Sequence, residues 1–190
     1  MNIKNLSIVM IGAGNVATHL TKALNNSGCT IKQVYSRTEE SAIKLAKQIN
    51  CNYTNKIDSV YPYADIYIVS LKDSVLNEVL PELVKRNTEA LYVHTAGSVS
   101  IDIWHGLTNR YGVLYPMQTF SKQREVDFSN VHFFIESNSP EDTNLLKSMA
   151  SMISGKVYEA SSEQRKYLHI SAVFACNFTN HMYAISEKLL

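Results

Sequence analysis

At 190 residues, with 45% hydrophobic and 18% charged side chains, the chain has an ordinary globular composition and is long enough for one domain and part of a second. Eighteen basic against seventeen acidic residues leave a formal charge of +1, which gives no electrostatic footprint for nucleic acid or for an anionic membrane surface. No apolar run reaches the roughly 18 residues of a bilayer span, and Met1-Asn2-Ile3-Lys4-Asn5 has no signal-peptide pattern, so a cytoplasmic location is expected.

Leu6 to Ile11 is a nearly continuous apolar run ending at Gly12, which suits a strand buried on both faces of a parallel sheet. Val16, Ala17, Leu20, Ala23 and Leu24 then recur at helical spacing over 16–25, and Asn26-Ser27-Gly28 closes that helix. The pattern repeats with a strand over 30–35, a helix over 39–49 and a short strand over 51–54. Further strands are expected over 64–70, 90–94 and 112–115, with a helix over 75–84, and 131–136 reads as an edge strand. Alternation of this kind specifies a doubly wound, mainly parallel α/β sheet. The polar stretch 118–130 is long for a connection and is expected to act as a functional flap.

After Ser139-Pro140 the character becomes helical, over 141–153 and 162–190, with a brief segment over 155–158 between. The expected organisation is a Rossmann domain over 1–158, followed by the first helix, 159–190, of an all-helical substrate or dimerisation domain. That helix keeps a core-like apolar pattern to its last residue with no Gly or Pro stop, which predicts either a truncated chain or burial against a second copy. Cys29, Cys51 and Cys176 are odd in number, widely spaced and without a CxxC, so they read as reduced small apolar residues; no metal site is expected.

Gly12-Ala13-Gly14-Asn15-Val16-Ala17 is a GxGxxA turn between a buried strand and an amphipathic helix. The first glycine permits the turn, the second lets backbone approach a pyrophosphate, and Ala17 lets helix pack on strand. The amides of Asn15 and Val16, at the positive end of the helix dipole, would then face the phosphates. The bland alternative is a tight turn that binds nothing. At the end of the second strand, where a dinucleotide site for NAD would place an acidic residue, the chain has Ser36-Arg37-Thr38. Arg37 can pair with a 2′-phosphate and stack on adenine, with the Ser36 and Thr38 hydroxyls as further donors, so NADP is the expected cofactor and NAD the less favoured one. The competing reading of Arg37 is a solvated loop cation.

These segments, together with Ala64 to Asp73, resemble the N-terminal domain of the superfamily of pyrroline-5-carboxylate reductase, 6-phosphogluconate dehydrogenase and prephenate dehydrogenase. His94-Thr95-Ala96-Gly97-Ser98, Tyr115-Pro116-Met117-Gln118-Thr119-Phe120 and the helix through His169 to His181 more narrowly resemble bacterial proteins that pair a Rossmann-like domain with a helical domain of unknown function. The resemblance implies that Ser70, Leu71, Lys72 and Asp73 run along the cofactor ribose and phosphates, and that the loop with Thr95, Ala96 and Gly97 approaches the nicotinamide. It also implies C-terminal helices that continue and interlock between two subunits. The competing reading of Lys72 and Asp73 is an exposed charged turn.

Hydride chemistry asks the protein for substrate orientation and a proton donor near the strand ends. His94 meets the positional requirement, although a histidine there is often structural. On the final helix Lys166, His169, Asn177, Asn180 and His181 share one arc at about 100° per residue, a polar stripe that is expected to face the substrate pocket. Several relatives in the superfamily carry a catalytic Lys followed four residues later by Asn; here Ile170 stands four beyond Lys166, so that mechanism does not transfer and the donor is left open between His169, Lys166 and His181. The expected activity is NADP(H)-dependent hydride transfer to or from a small metabolite, a carbonyl, imine or hydroxy acid. The alternative is an NADP-binding sensor without chemistry.

Overall fold

The computed structural model describes residues 6–190, so the N-terminal reading of Met1 to Asn5 lies outside the described residues. Strand β1 (Ser7–Ile11) leads through the glycine turn into helix α1 (Asn15–Asn26), followed by β2 (Thr30–Tyr35), α2 (Glu39–Ile49) and β3 (Asn52–Thr54). The second half contributes β4 (Ile66–Val69), α3 (Asp73–Val84), β5 (Leu91–His94), β6 (Tyr111–Met117), β7 (His132–Ser137), α4 (Pro140–Ser151) and β8 (Val157–Glu159). These strands form one sheet in the order β3-β2-β1-β4-β5-β6-β7-β8. All neighbours are parallel except β6 and β7. The arrangement is a Rossmann-like doubly wound fold whose order reverses at β1 and β4, the place where such sheets open a crevice at their carboxyl ends.

Alternation along the central strands explains why they are apolar throughout. Ile8, Met10, Ile66 and Ile68 join Leu20 and Leu24 of α1 and Leu146 and Met149 of α4 in one buried layer. Val9, Ile11, Tyr67 and Val69 face the other way, onto Leu76, Leu80 and Leu83 of α3 and Trp104. A strand with successive side chains on opposite faces needs both sets when helices cover both faces. Tyr67 and Tyr92 stack at 4.7 Å in the second layer, and their buried hydroxyls donate to the carbonyls of Tyr61 (2.6 Å) and Asn87 (2.7 Å).

Two expectations change. The segment expected as an edge strand, β7, is interior, because Val157–Glu159 forms β8 and takes the edge. The final helix is also not uniform: α5 (Ser162–Ala172) passes through π-helical turns over Val173–Phe178 into α6 (Thr179–Leu189). A π turn takes in an extra residue, so positions beyond 178 are rotated away from the face that regular spacing assigns them. No helix among the described residues is long and apolar enough to cross a membrane.

Candidate active site at the carboxyl ends of the strands

The glycine turn is shaped by contact as well as by conformation. Gly12 has φ of +121°, and a Cβ there would stand 2.2 Å from the Ser70 carbonyl oxygen. Its amide donates to the Tyr35 carbonyl (2.7 Å) while the Ser70 amide donates to the Ile11 carbonyl (2.8 Å), drawing the ends of β2 and β4 against the turn. A Cβ on Gly14, by contrast, would meet nothing within 4 Å. Gly14 precedes α1 without any side-chain cap, and the first turn of α1 carries no acidic residue. The amides that open this helix are thus left for an anion.

A cleft of about 500 Å³ opens directly over them. Gly14, Asn15 and Val16 form one wall, and Ser70, Leu71 and Lys72 a second. Thr95, Ala96 and Gly97 lie at its far end with Tyr115 and His169. Ser98 donates to Asp73 Oδ2 (2.5 Å), which ties the loop after β5 to the start of α3. Ser36, Arg37 and Thr38 stand outside the cleft lining at the end of β2, where Arg37 is exposed and has no ion pair among the described residues.

A second chamber of about 360 Å³ adjoins the first and shares Tyr115, Gln118 and His169 with it. Its other walls come from Met117, Thr119 and Phe120 after β6, and from Ala172, Val173, Cys176 and Asn177 on the last helical segment. At the junction the Tyr115 hydroxyl lies 3.0 Å from Nδ1 of His169. The Tyr115 phenol is pushed up to about 12 by burial, against which the nearby Arg165 charge pulls it down. It therefore remains a neutral hydroxyl, able to donate to the ring or to accept from it. Gly97 closes on this pair so tightly that a Cβ would stand 2.6 Å from Tyr115 Cζ and 2.8 Å from His169 Nδ1.

Arg165 fixes the helix that carries His169. The buried guanidinium donates to Glu136, to the Val99 carbonyl (2.6 Å) and to Ser162 Oγ (3.2 Å). Glu136 also accepts from the Ser162 amide (3.0 Å) and hydroxyl (2.7 Å), and Ser162 Oγ accepts from the Ile101 amide (2.9 Å). This network binds the first turn of α5 to β7 and to the loop after β5. Ser161 and Gln164 complete a capping box on the same turn. His169 follows Arg165 by one helical turn and so projects toward the same side.

The proton-donor candidates are thus not all brought together. His169 and Asn177 line the second chamber, whereas Lys166 and His181 are exposed and line neither cavity. Asn180 and His181 stand beyond the π turns and are exposed. His94 is fully buried, stacked on Trp104 at 6.3 Å, and its Nδ1 accepts from the Ala96 amide (3.2 Å). Burial, with the Arg165 charge adding to it, pushes its pKa down to about 3, so it is a neutral packed ring that shapes the loop from behind rather than facing the cleft. Cys176, expected as a packed apolar residue, is exposed on the chamber wall. Sequence reasoning missed Tyr115 and Arg165. The segment Tyr115 to Phe120 carries a resemblance that assigns Tyr115 no role, and arginine is rarely buried without a visible partner.

Residues 7–97 match the family described as NADP oxidoreductase, coenzyme F420-dependent, and residues 131–190 match a domain of unknown function, DUF2520. The crystal structure of a Bacteroides fragilis protein described as a "putative NADP oxidoreductase" is 57% identical, with a TM-score of 0.96 over all of this chain and 73% of that one. The chain belongs to this oxidoreductase family. Two more distant structures share the fold. One is the A. aeolicus prephenate dehydrogenase solved with hydroxyphenyl propionate and NAD+, 17% identical at TM-score 0.77, covering 88% of this chain and 64% of that one. The other is the Myxococcus stipitatus imine reductase solved with NADP+, 18% identical at TM-score 0.74, covering 96% and 64%. No curated protein matches the chain. The segment 131–190 contributes β7, Arg165 and His169, so the first cleft draws on both matched regions, while residues 115–120 of the second chamber lie between them.

Proposed function

We propose that this family member is an NADP(H)-dependent oxidoreductase that moves a hydride to or from a small carbonyl, imine or hydroxy compound, with His169 as the proton donor. The observation that carries this is the His169–Tyr115 pair at the junction of the two cavities, 3.0 Å apart, beside the loop of Thr95, Ala96 and Gly97. When bound, the nicotinamide supplies the hydride. Gly12 and Gly14 admit the pyrophosphate to the amides of Asn15 and Val16, Lys72 offsets phosphate charge, and Arg37 with Ser36 and Thr38 receives the 2′-phosphate. The exposed, ion-pair-free Arg37 and the NADP-named relatives favour NADP over NAD.

In the reducing direction the substrate carbon gains the hydride, its former π pair moves to the oxygen or nitrogen, and that atom takes a proton from the imidazolium form of His169, which is left as neutral imidazole. Tyr115 holds the imidazole at Nδ1, which directs Nε2 toward the chamber as the donor nitrogen; Asn177 offers a hydrogen bond to the substrate. Residues 1–158 act as the cofactor domain and 159–190 as the start of the substrate and dimerisation domain, with a second copy of the chain as its partner. Titration with NADPH and NADH, then NADPH oxidation against a panel of ketones, keto acids and cyclic imines, tests this. NADPH preference with turnover of one class is the expected result. Tight NADPH binding with no turnover across the panel would make the protein a cofactor sensor, and failure to bind either dinucleotide would overturn the assignment.

A further inference from the structure

The stretch 118–127 crosses from the substrate side of the cleft over α1, and two side chains of α1 hold it there. Asn15 Nδ2 donates to the Phe120 carbonyl at 2.9 Å. His19, one turn later and buried, stands with Nε2 2.8 Å from the Ser121 carbonyl oxygen. A carbonyl only accepts, so Nε2 carries a proton and donates. The His19 ring also lies against the Phe120 ring at 5.8 Å, and Phe120 continues onto Phe128 at 5.9 Å, seating the stretch on the core.

These contacts join two parts of the site. Asn15 lines the cofactor cleft, while Thr119 and Phe120 wall the second chamber and Gln118 lines both. We infer that Asn15 and His19 are positioning residues that clip residues 118–121 as the movable wall of the substrate chamber, and that NADP(H) in the cleft locks this wall. The inference rests on the proposed cofactor assignment. A dinucleotide occupying the cleft would touch Gln118 where the strap begins and Asn15 where it is clipped, so it restrains both ends at once. The phosphate-binding helix thereby also sets the shape of the substrate chamber, and cofactor would bind before the chamber takes its closed form.

Lys122 is exposed on this strap one residue beyond the clip, which makes trypsin cleavage after it a direct readout. NADPH is expected to slow that cleavage in the unmodified protein. His19→Ala is expected to speed it about tenfold without cofactor, the effect of losing one buried hydrogen bond when cleavage follows the open population. NADPH affinity should stay within about twofold, since His19 lines neither cavity, and His19→Gln should restore protection because its amide reaches the same carbonyl. Hydrogen exchange of residues 118–127 with and without NADPH gives the same answer with no substitution. Equal cleavage in the unmodified protein and His19→Ala would overturn the clip, and unchanged exchange on saturation with NADPH would overturn the coupling. A protein that binds no NADPH would remove the proposed function, and the cofactor-free comparison would still decide the clip.

Discussion

Tyr115 and His169, 54 residues apart in sequence, meet through a 3.0 Å contact between a buried phenol and imidazole Nδ1, on the wall that, with Gln118, the first cleft and the second chamber share. Because burial pushes the phenol up to about 12, it stays protonated near neutral pH and is a neutral hydrogen-bond partner for the ring. His169→Ala is expected to lower kcat by roughly 100- to 10,000-fold, the range for a lost general acid, with NADPH affinity little changed. Tyr115→Phe should cost less and show mainly as a weakened response of rate to pH. Steady-state kinetics with a substrate found in the panel checks both. Full activity in His169→Ala would sink the donor assignment.

Gly97 is the steric partner of that pair. Its added Cβ would meet Tyr115 Cζ at 2.6 Å and His169 Nδ1 at 2.8 Å, closer than real Cβ atoms come, so Gly97→Ala must part the two rings. Displacement of a catalytic group by about 1 Å can cost on the order of 100-fold in rate, and that loss is expected in a protein that still folds. Gly14→Ala is the contrast, because its Cβ has open space and only an incoming pyrophosphate to obstruct. It should weaken NADPH binding and leave the melting temperature unchanged. Melting curves and cofactor titrations on the two variants separate the roles, and an active Gly97→Ala would mean the pair tolerates a looser setting.

If Arg37 receives the 2′-phosphate as proposed, it sets the preference between dinucleotides. A charged hydrogen bond to a 2′-phosphate contributes about 1.5 to 3 kcal/mol, so NADPH should bind roughly 10- to 150-fold more tightly than NADH. Arg37→Ala should bring the two affinities together by weakening NADPH alone. Fluorescence titration of both cofactors against both proteins measures it. Equal affinities in the unmodified protein would remove the NADP preference while leaving a dinucleotide site in place.

His94 makes stability depend on pH. Its folded-state pKa, about 3, lies below the ordinary 6.5, so the unfolded chain binds the proton more readily than the native one. The contribution is present in full above pH 6.5 and is lost as pH falls toward 3, at about 1.4 kcal/mol per pH unit within that window. Substitution His94→Phe, which keeps a ring against Trp104, should flatten this part of the curve. Denaturant unfolding at several pH values from about 7 down to about 4 provides the comparison. Parallel curves for the two proteins would show that His94 is not the group responsible.

How far the sequence reaches is visible in which contacts are local. The run Ser7–Ile11, the turn Gly12-Ala13-Gly14 and the helix behind it carry their periodicities in consecutive residues, and strands β2 and helix α2 fall on their expected bounds. His169 and Asn177 were legible as a helical stripe. Lys166 and His181 share that stripe by angle alone, which gives no position relative to a cavity, and both are exposed outside the two cavities. Tyr115, Arg165 and the Asn15–Phe120 clip depend on partners 54, 29 and 105 positions away, and no local pattern announces such pairings. His94 shows the reverse limit: a histidine at a strand end has the right address for catalysis, and only its burial reveals a ring turned into the core.

The last helical segment presents apolar surface in quantity. Phe174 is 63% exposed, Phe178 48%, Met182 58% and Tyr183 71%, and no residue of the π turns or α6 is buried. Phe174 and Phe178 stack on each other at 5.0 Å, so the face is already ordered before anything covers it. Surface of this kind gains about 25 cal/mol per Å² when removed from water, and patches beyond a few hundred Å² on a monomer mark an interaction site. A second copy is the proposed occupant, because a twofold contact would set the same apolar face of each copy against the other. Sedimentation equilibrium should then show a concentration-dependent dimer. Phe178→Glu with Met182→Glu should shift it to monomer, since each new carboxylate would have to be buried unpaired in the contact, while residues 6–160 keep their melting behaviour. A chain that stays monomeric at every concentration, with amides over 174–189 protected from exchange, would refute the dimer and require that the helix is covered by its own subunit.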